Sequence, residues 1–316
     1  VWALTINEKR LDVVERDTPE PGPDDVLVAV RAAGINAADL MQRDGHYPAP
    51  PGWPADVPGM EVAGEVRAVG ANVDIALVGR RVCAIVGGGA QATHCVVPSE
   101  HLLSLPDHVA WHEAGGFPEA FTTAFDALVT QGRLQRGERA LISGAAGGVG
   151  VAGVQIAHAL GASVIAVTRD TEHHERLRHL GADEAVTIDQ VNELAGVDVV
   201  LELVGAANLQ TVQRVLNPHA RVVVIGVGAG ARVELDLRTM MRTRSSYTGS
   251  TLRSRSREEK AVVARLVADA LLPRWERHEL SVPLARTFNL REAEDAYKFF
   301  ATPGKFGKVV LSVEDR

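Results

Sequence analysis

Apolar residues follow two different rhythms along this chain. Over residues 1–110 they fall in short alternating runs, and Val26–Arg31 (VLVAVR), Val62–Val69 and Arg81–Val86 each read as a strand. Proline- and glycine-rich clusters separate the runs: PEPGPDD at 19–25, PAPPGWPADVPG at 48–59 and GGGA at 87–90. Short strands punctuated this way predict a small barrel-like or partly open β unit. Near Trp111 the texture changes, and EAGGFPEAFTTAFDALV at 113–129 reads as a loop running into a helix. From there to about residue 250, apolar runs alternate with helix-periodic stretches. Strands are expected at Ala140–Ser143, Ser163–Val167, Glu184–Thr187, Val197–Leu203, Arg221–Val227 and Ser246–Thr251. Six strands joined through helices predict a doubly wound parallel sheet. The tail supplies a helix over 257–272, another over Leu290–Phe300 and a last strand at Lys308–Val313.

The most specific signal lies in the second rhythm. LISGAAGGVGVAGVQIAHALGASVIAVTRD at 141–170 is strand, glycine-rich turn, helix and strand, the pattern of a dinucleotide-binding unit. Gly147 and Gly150 take the second and third glycine positions of that motif, and Ala145 stands at the first. Ala146, Gly147, Gly148, Val149 and Gly150 are the expected cofactor-binding turn. There, backbone N–H groups at a helix start face a pyrophosphate. An acidic residue about 20 positions after the glycines would bond the ribose hydroxyls of NADH. Here Arg169 occupies that place, beside Thr168. A guanidinium suits a 2′-phosphate, so NADPH is the expected cofactor. The other reading makes Arg169 an exposed loop residue and gives the ribose to Asp170.

Composition narrows the class. The 316 residues suffice for two domains, and 46% hydrophobic with 23% charged residues is globular. A net charge of −7 without a basic block argues against nucleic acid. Two cysteines, Cys83 and Cys95, argue against a disulfide framework. No apolar run reaches the roughly 20 residues of a membrane span, and the first residues show no signal-peptide pattern. The expected location is the cytoplasm, without a membrane partner. The arginines at 238, 242, 244, 253, 255 and 257 read as a solvated loop face.

Seven segments in order resemble the medium-chain dehydrogenase/reductases, and within them the zinc-free quinone oxidoreductase (zeta-crystallin-like) branch. They are AAGINAADL at 32–40, RDGHYPAPPG at 43–52, PGMEVAGEVRAVG at 58–70, PEAFTTAFDAL at 118–128, AAGGVGVAGVQIA at 145–157, LGADEAV at 180–186 and GKVVL at 307–311. The resemblance implies a β-rich GroES-like substrate domain over 1–118 and 257–316, and a Rossmann cofactor domain over 119–256. It places Asn36 where zinc members carry a catalytic Cys, and Met60 where they carry a His, so no metal site is expected. His94, Cys95 and His101 have no zinc-ligand spacing.

The same resemblance puts Tyr47 beside the nicotinamide, where a phenol donates to a developing oxyanion or only contacts the ring. Asn36 bonds substrate or cofactor, or else caps a turn. Thr123 lies near the nicotinamide or starts a helix. Gly226 and Val227 pass the nicotinamide ribose, and Leu252 lies by the ring. The implied activity is hydride transfer from NADPH to a small-molecule quinone or activated enone. An enoyl-thioester reductase and an NADPH-binding protein with little turnover are the alternatives. A homodimer is expected, and RVELDL at 232–237 is either a strand pairing across a two-fold axis or an ordinary edge strand.

Overall fold

The structure, a computed structural model, describes residues 1–313. Positions 314–316 of the expected substrate domain lie outside the described residues. The chain divides into two compact units, Val1–Thr122 with Leu252–Arg316, and Thr123–Thr251.

The first unit is a two-stranded hairpin, Trp2–Asn7 with Arg10–Glu15, and a seven-stranded sheet. The sheet runs Leu284–Asn289, Lys308–Ser312, Asp25–Ile35, Glu61–Val69, Arg81–Ile85, Leu103–Ser104, with His94–Pro98 paired to the long third strand. Its one parallel pair joins the last two strands of the chain. Val26, Val28, Val30 and Ile35 point inward with Val62, Val66, Val309 and Leu311, and the ring of Tyr297 closes the core. Burying side chains of this kind stabilises by about 1.5–3 kcal/mol each.

Two glycines let a helix lie directly on that sheet. The segment expected as a loop running into a helix has its helix at Pro118–Phe125, followed by a wider turn over Asp126–Gln131, but its first part is helical too, from Trp111 to Gly116. A Cβ on Gly115 would stand 2.6 Å from the Ala32 Cβ. Gly115 and Gly116 permit the close approach.

The second unit is a six-stranded, wholly parallel sheet. Its spatial order is Glu184–Val186, Ser163–Val167, Arg139–Ser143, Val197–Glu202, Leu216–Val224, Ser246–Gly249. This is the doubly wound order 3-2-1-4-5-6, which reverses between Arg139–Ser143 and Val197–Glu202. Buried Leu141, Ile165, Val167, Val197, Val200 and Val222 form its core. The fifth strand stops at Val224 rather than Val227, because the N–H groups of Ile225 and Gly226 turn back onto the Glu202 carbonyl at 2.9 and 3.1 Å.

RVELDL is not a strand. Gln213 holds the segment in an irregular path, donating to the Glu234 carbonyl at 3.1 Å and accepting from the Asp236 N–H at 3.1 Å. Asp236 then caps the helix Leu237–Thr243. Two of the backbone groups that a strand would pair are taken by one side chain. No helix among the described residues is long and apolar enough to cross a membrane.

Candidate active site

In the second unit the glycine-rich turn joins Arg139–Ser143 to the helix Gly148–Ala159. Three glycines do separable work. Gly144 takes φ +77°, a left-handed conformation that favours glycine. The tight-turn glycine is therefore Gly144, one position before Ala145, and the spacing G-x-x-G-x-x-G was present in the sequence. A Cβ on Gly150 would lie 2.4 Å from the Gly144 carbonyl oxygen, so only glycine lets the helix start against the strand. Gly147 is the helix N-cap, and a Cβ there would meet nothing in the chain closer than 3.6 Å. Nothing in the chain itself requires glycine at that position. Ala146, Gly148 and Val149 are half-buried around it.

The strand ends beyond this turn carry the other expected contacts. Arg169 follows Ser163–Val167, with 72% of its side chain exposed and only Asp170 beside it at 3.5 Å. A surface contact of that kind contributes little, so the guanidinium is not committed. Thr168 is buried, its N–H donating to the Val186 carbonyl at 3.0 Å. Ile188 opens a short helical turn over Ile188–Glu193 and brings no polar atom to the adjacent strand end. A Cβ on Gly226 would clash with the Leu203 carbonyl at 2.3 Å, while Val227 is half exposed. Thr123 is buried. Glu202, which sequence reasoning missed, is wholly buried at the end of its strand. It accepts from the Ser143 hydroxyl at 2.9 Å and from the N–H groups of Val204 and Gly205 at 2.7 and 2.8 Å. Burial pushes its carboxyl above the usual range.

In the first unit Asn36 heads the helix Ala37–Arg43. Its side chain reaches a buried ion pair. The Lys308 ammonium donates to Glu61 Oε1 at 2.5 Å and to Asn36 Oδ1 at 2.7 Å. The Asn36 amide donates to the same Glu61 oxygen at 2.8 Å, and Glu61 Oε2 accepts the Glu119 N–H at 2.9 Å. Gly34 makes room for this: a Cβ there would lie 2.1 Å from Glu61 Oε1. Glu61 and Lys308 stood in quoted motifs, PGME and GKVVL, but nothing in their spacing joined them across 247 positions. Met60, at the other expected ligand position, is buried. Asp39 accepts the Asn36 and Gly59 N–H groups at 2.8 and 3.0 Å, and burial raises its carboxyl to about 6 against those donors and Arg253.

Tyr47 is half-buried, and an arginine holds it. Arg253 is only 5% exposed, which overturns its reading as part of a solvated face. Its guanidinium donates to the Gly87 carbonyl at 3.0 Å, to the Tyr47 carbonyl at 3.1 Å and to Gln42 Oε1. It also lies 5.1 Å from the Tyr47 ring centre. Arg257 is likewise engaged, with Asp25 and Glu100. Leu252 is buried where the chain re-enters the first unit. No group of three or more His, Cys, Asp or Glu that could hold a metal occurs among the described residues.

Comparison with known proteins places this geometry. The model described as "Alcohol dehydrogenase GroES-like domain" matches residues 22–107, and "Zinc-binding dehydrogenase" matches 148–268. The quinone oxidoreductase of Thermus thermophilus, solved also in complex with NADPH, is 33% identical, with TM-score 0.86 over 99% of this chain and 100% of that one. The chain belongs to the medium-chain dehydrogenase/reductase superfamily. Mouse quinone oxidoreductase is 29% identical over 306 residues, 93% of this chain and 90% of that protein. A phenolphthiocerol/phthiocerol polyketide synthase polypeptide of Mycobacterium tuberculosis is 33% identical over 313 residues, 96% of this chain. The chain spans only 14% of that synthase polypeptide. Within the superfamily the likeness is to quinone oxidoreductase-like members, and the parallel sheet is the Rossmann-like domain of the two-domain fold.

Proposed function

We propose that this protein is an NADPH-dependent, zinc-independent reductase of a quinone or an activated enone. The observation that carries the reading is the occupied cluster at Asn36. Where zinc relatives would polarise a carbonyl with a metal, this chain has an amide fixed between an ammonium and a carboxylate. The amide orientation follows from its neighbours. Oδ1 must face the Lys308 ammonium, which can only donate, and the NH₂ must face Glu61, which accepts. One amide N–H remains uncommitted, and it is available to a carbonyl oxygen. Lys308 itself is spent on Glu61, Asn36 and the Ile35 carbonyl.

The nicotinamide, when bound, supplies the hydride. The chain's own residues bind and orient. Backbone N–H groups at Gly147–Gly150 take the pyrophosphate, and Arg169 pairs the 2′-phosphate. In the second unit, Thr123, Gly226 and Val227 would hold the reacting ring. Asn36 and the Tyr47 phenol donate to the oxygen that gains charge as the acceptor is reduced. Arg253 keeps the Tyr47 loop closed on its own unit.

The test is NADPH oxidation against a quinone and enone panel, before and after exhaustive chelation. Turnover unchanged by chelation is expected, and a loss that added zinc restores would overturn zinc independence. Reduction of an unsaturated acyl thioester is a second reading, favoured by the match to a polyketide synthase along nearly the whole chain. A crotonyl or longer enoyl thioester turned over faster than any quinone would favour it. Tight NADPH binding without turnover of any acceptor would favour a binding role instead.

A further inference from the structure

The first unit contains a cavity of about 760 Å³, and neither Asn36, Tyr47, Glu61 nor Lys308 lines it. Its size falls within the roughly 300–1,000 Å³ of small-molecule sites. Pro50, Pro51, Pro54 and the indole of Trp53 supply apolar wall. Two buried polar side chains lie in the same wall, one an ammonium without an ion pair among the described residues and one an imidazole with an unpartnered nitrogen.

The first is Lys260, in the helix Arg257–Glu276 and only 4% exposed. Its ammonium donates to the Arg253 carbonyl at 2.8 Å and stands 5.9 Å from the Trp53 ring centre. It makes no ion pair among the described residues. Burial weighs most on it, ahead of attraction by Glu119 and repulsion by Arg253. A buried ammonium without an anion is costly, and burial accordingly pushes its pKa down. The second is His101. Its Nε2 meets the Arg257 carbonyl at 2.9 Å, so that nitrogen carries the proton. Nδ1 is then a buried acceptor, and it has no partner. Arg257 does not relieve either group, because Glu100 and Asp25 occupy it.

The geometry points to a second small-molecule site in this cavity, one that takes an aromatic carboxylic acid. The carboxylate pairs with Lys260, and the ring packs on Trp53 and the prolines. A cation already facing an indole becomes the anchor for an anion whose flat body stacks on that indole. The assignment does not depend on the reductase reading.

Calorimetric titration of the full chain with naphthoate and with its neutral isostere naphthamide tests it, with NADPH present at saturation. One-to-one binding of naphthoate, at least about tenfold tighter than naphthamide, is expected. Lys260→Met should erase that difference, and Trp53→Leu should weaken both ligands. If Lys260→Met does not fold, Lys260→Gln keeps a donor for the Arg253 carbonyl and serves the same purpose. Equal affinities in the wild type, or no saturable binding of naphthoate, would overturn the site. So would a preference that survives removal of the ammonium. Competition of naphthoate with a quinone in the NADPH oxidation assay would assign the ligand to the reductase centre and likewise overturn a separate site.

Discussion

Glu61 in the first unit and Glu202 in the second are both wholly buried, and the chain satisfies them by opposite means. Glu61 has a cation. Lys308 and the Asn36 amide share one of its oxygens, and a backbone N–H takes the other. Glu202 has none. Three donors crowd Oε1, and Oε2 has no partner. The first arrangement keeps a fixed pair of charges and with them one orientation of Asn36. The second shapes the loops after two strands with a carboxylate that burial inclines toward its neutral form. Charge pairing serves geometry at the candidate chemical site, and backbone capture serves geometry at the cofactor sheet.

Breaking the pair should have the largest effect. Lys308→Met leaves Glu61 buried without a counter-ion, a change that typically costs about 3–5 kcal/mol. Urea unfolding measures it. Adding Glu61→Gln to that variant should recover part of the loss, since no uncompensated charge then remains. A loss below about 1 kcal/mol in the single variant would mean that desolvation already cancels the attraction.

The next effect concerns turnover rather than folding. Tyr47→Phe removes a phenolic donor from a loop that Arg253 holds by the main chain and the ring face, both of which the Phe variant keeps. A drop in kcat on the order of 10²-fold is expected, with the unfolding midpoint unchanged. Wild-type kcat/KM for both a quinone and an enone would remove the phenol from the chemistry.

The two regions also differ in how legible they were. The cofactor sheet was read almost completely, because its information is local. Alternating rhythms name the strands, and Gly147 and Gly150 between a strand and a helix name the turn, although its tight-turn glycine is Gly144 rather than the position of Ala145. What failed there was long-range backbone capture: Glu202 ends the strand at Val224, and Gln213 replaces a strand by an irregular path. At Asn36 the position was legible only through family resemblance. Its partners were not, since Glu61 and Lys308 meet by sheet pairing rather than by sequence spacing. Arg253 misled for the same reason. A run of arginines reads as solvated until the carbonyls of Tyr47 and Gly87 are brought to one of them.

Arg169 sharpens the cofactor half of the comparison. Its guanidinium lies open past the second strand of the sheet, with only a neighbouring carboxylate at 3.5 Å. Charge-assisted contacts to a 2′-phosphate contribute roughly 1.5–3 kcal/mol. Preference for NADPH over NADH in kcat/KM should therefore reach about tenfold or more. Arg169→Ala should remove most of it by weakening NADPH alone. Equal use of both cofactors by the wild type, or discrimination intact in the variant, would place the phosphate elsewhere. Arg253 is a poor candidate, because it is buried and three of its five N–H groups are already held within the first unit.

The smallest effect distinguishes the two glutamates themselves. Because burial raises the folded-state pKa of Glu202, the folded protein binds a proton more readily than the unfolded chain does. The stability this contributes is fully present below the ordinary value of 4.5, and it is lost as pH rises through the higher folded value. Glu202→Gln keeps an oxygen for Ser143, Val204 and Gly205, puts a neutral NH₂ at the unpartnered position, and does not titrate. At neutral pH the variant should differ from wild type by less than about 1 kcal/mol. As pH falls from neutral toward 4.5, the wild type should gain on the variant. Asp39, raised to about 6, titrates in both proteins and cancels from the difference. Unfolding free energies of the pair, measured side by side across that range, decide the matter. A wild type that loses ground to the variant on acidification would mean that the three donors hold Glu202 ionised, and that the two glutamates are alike in charge after all.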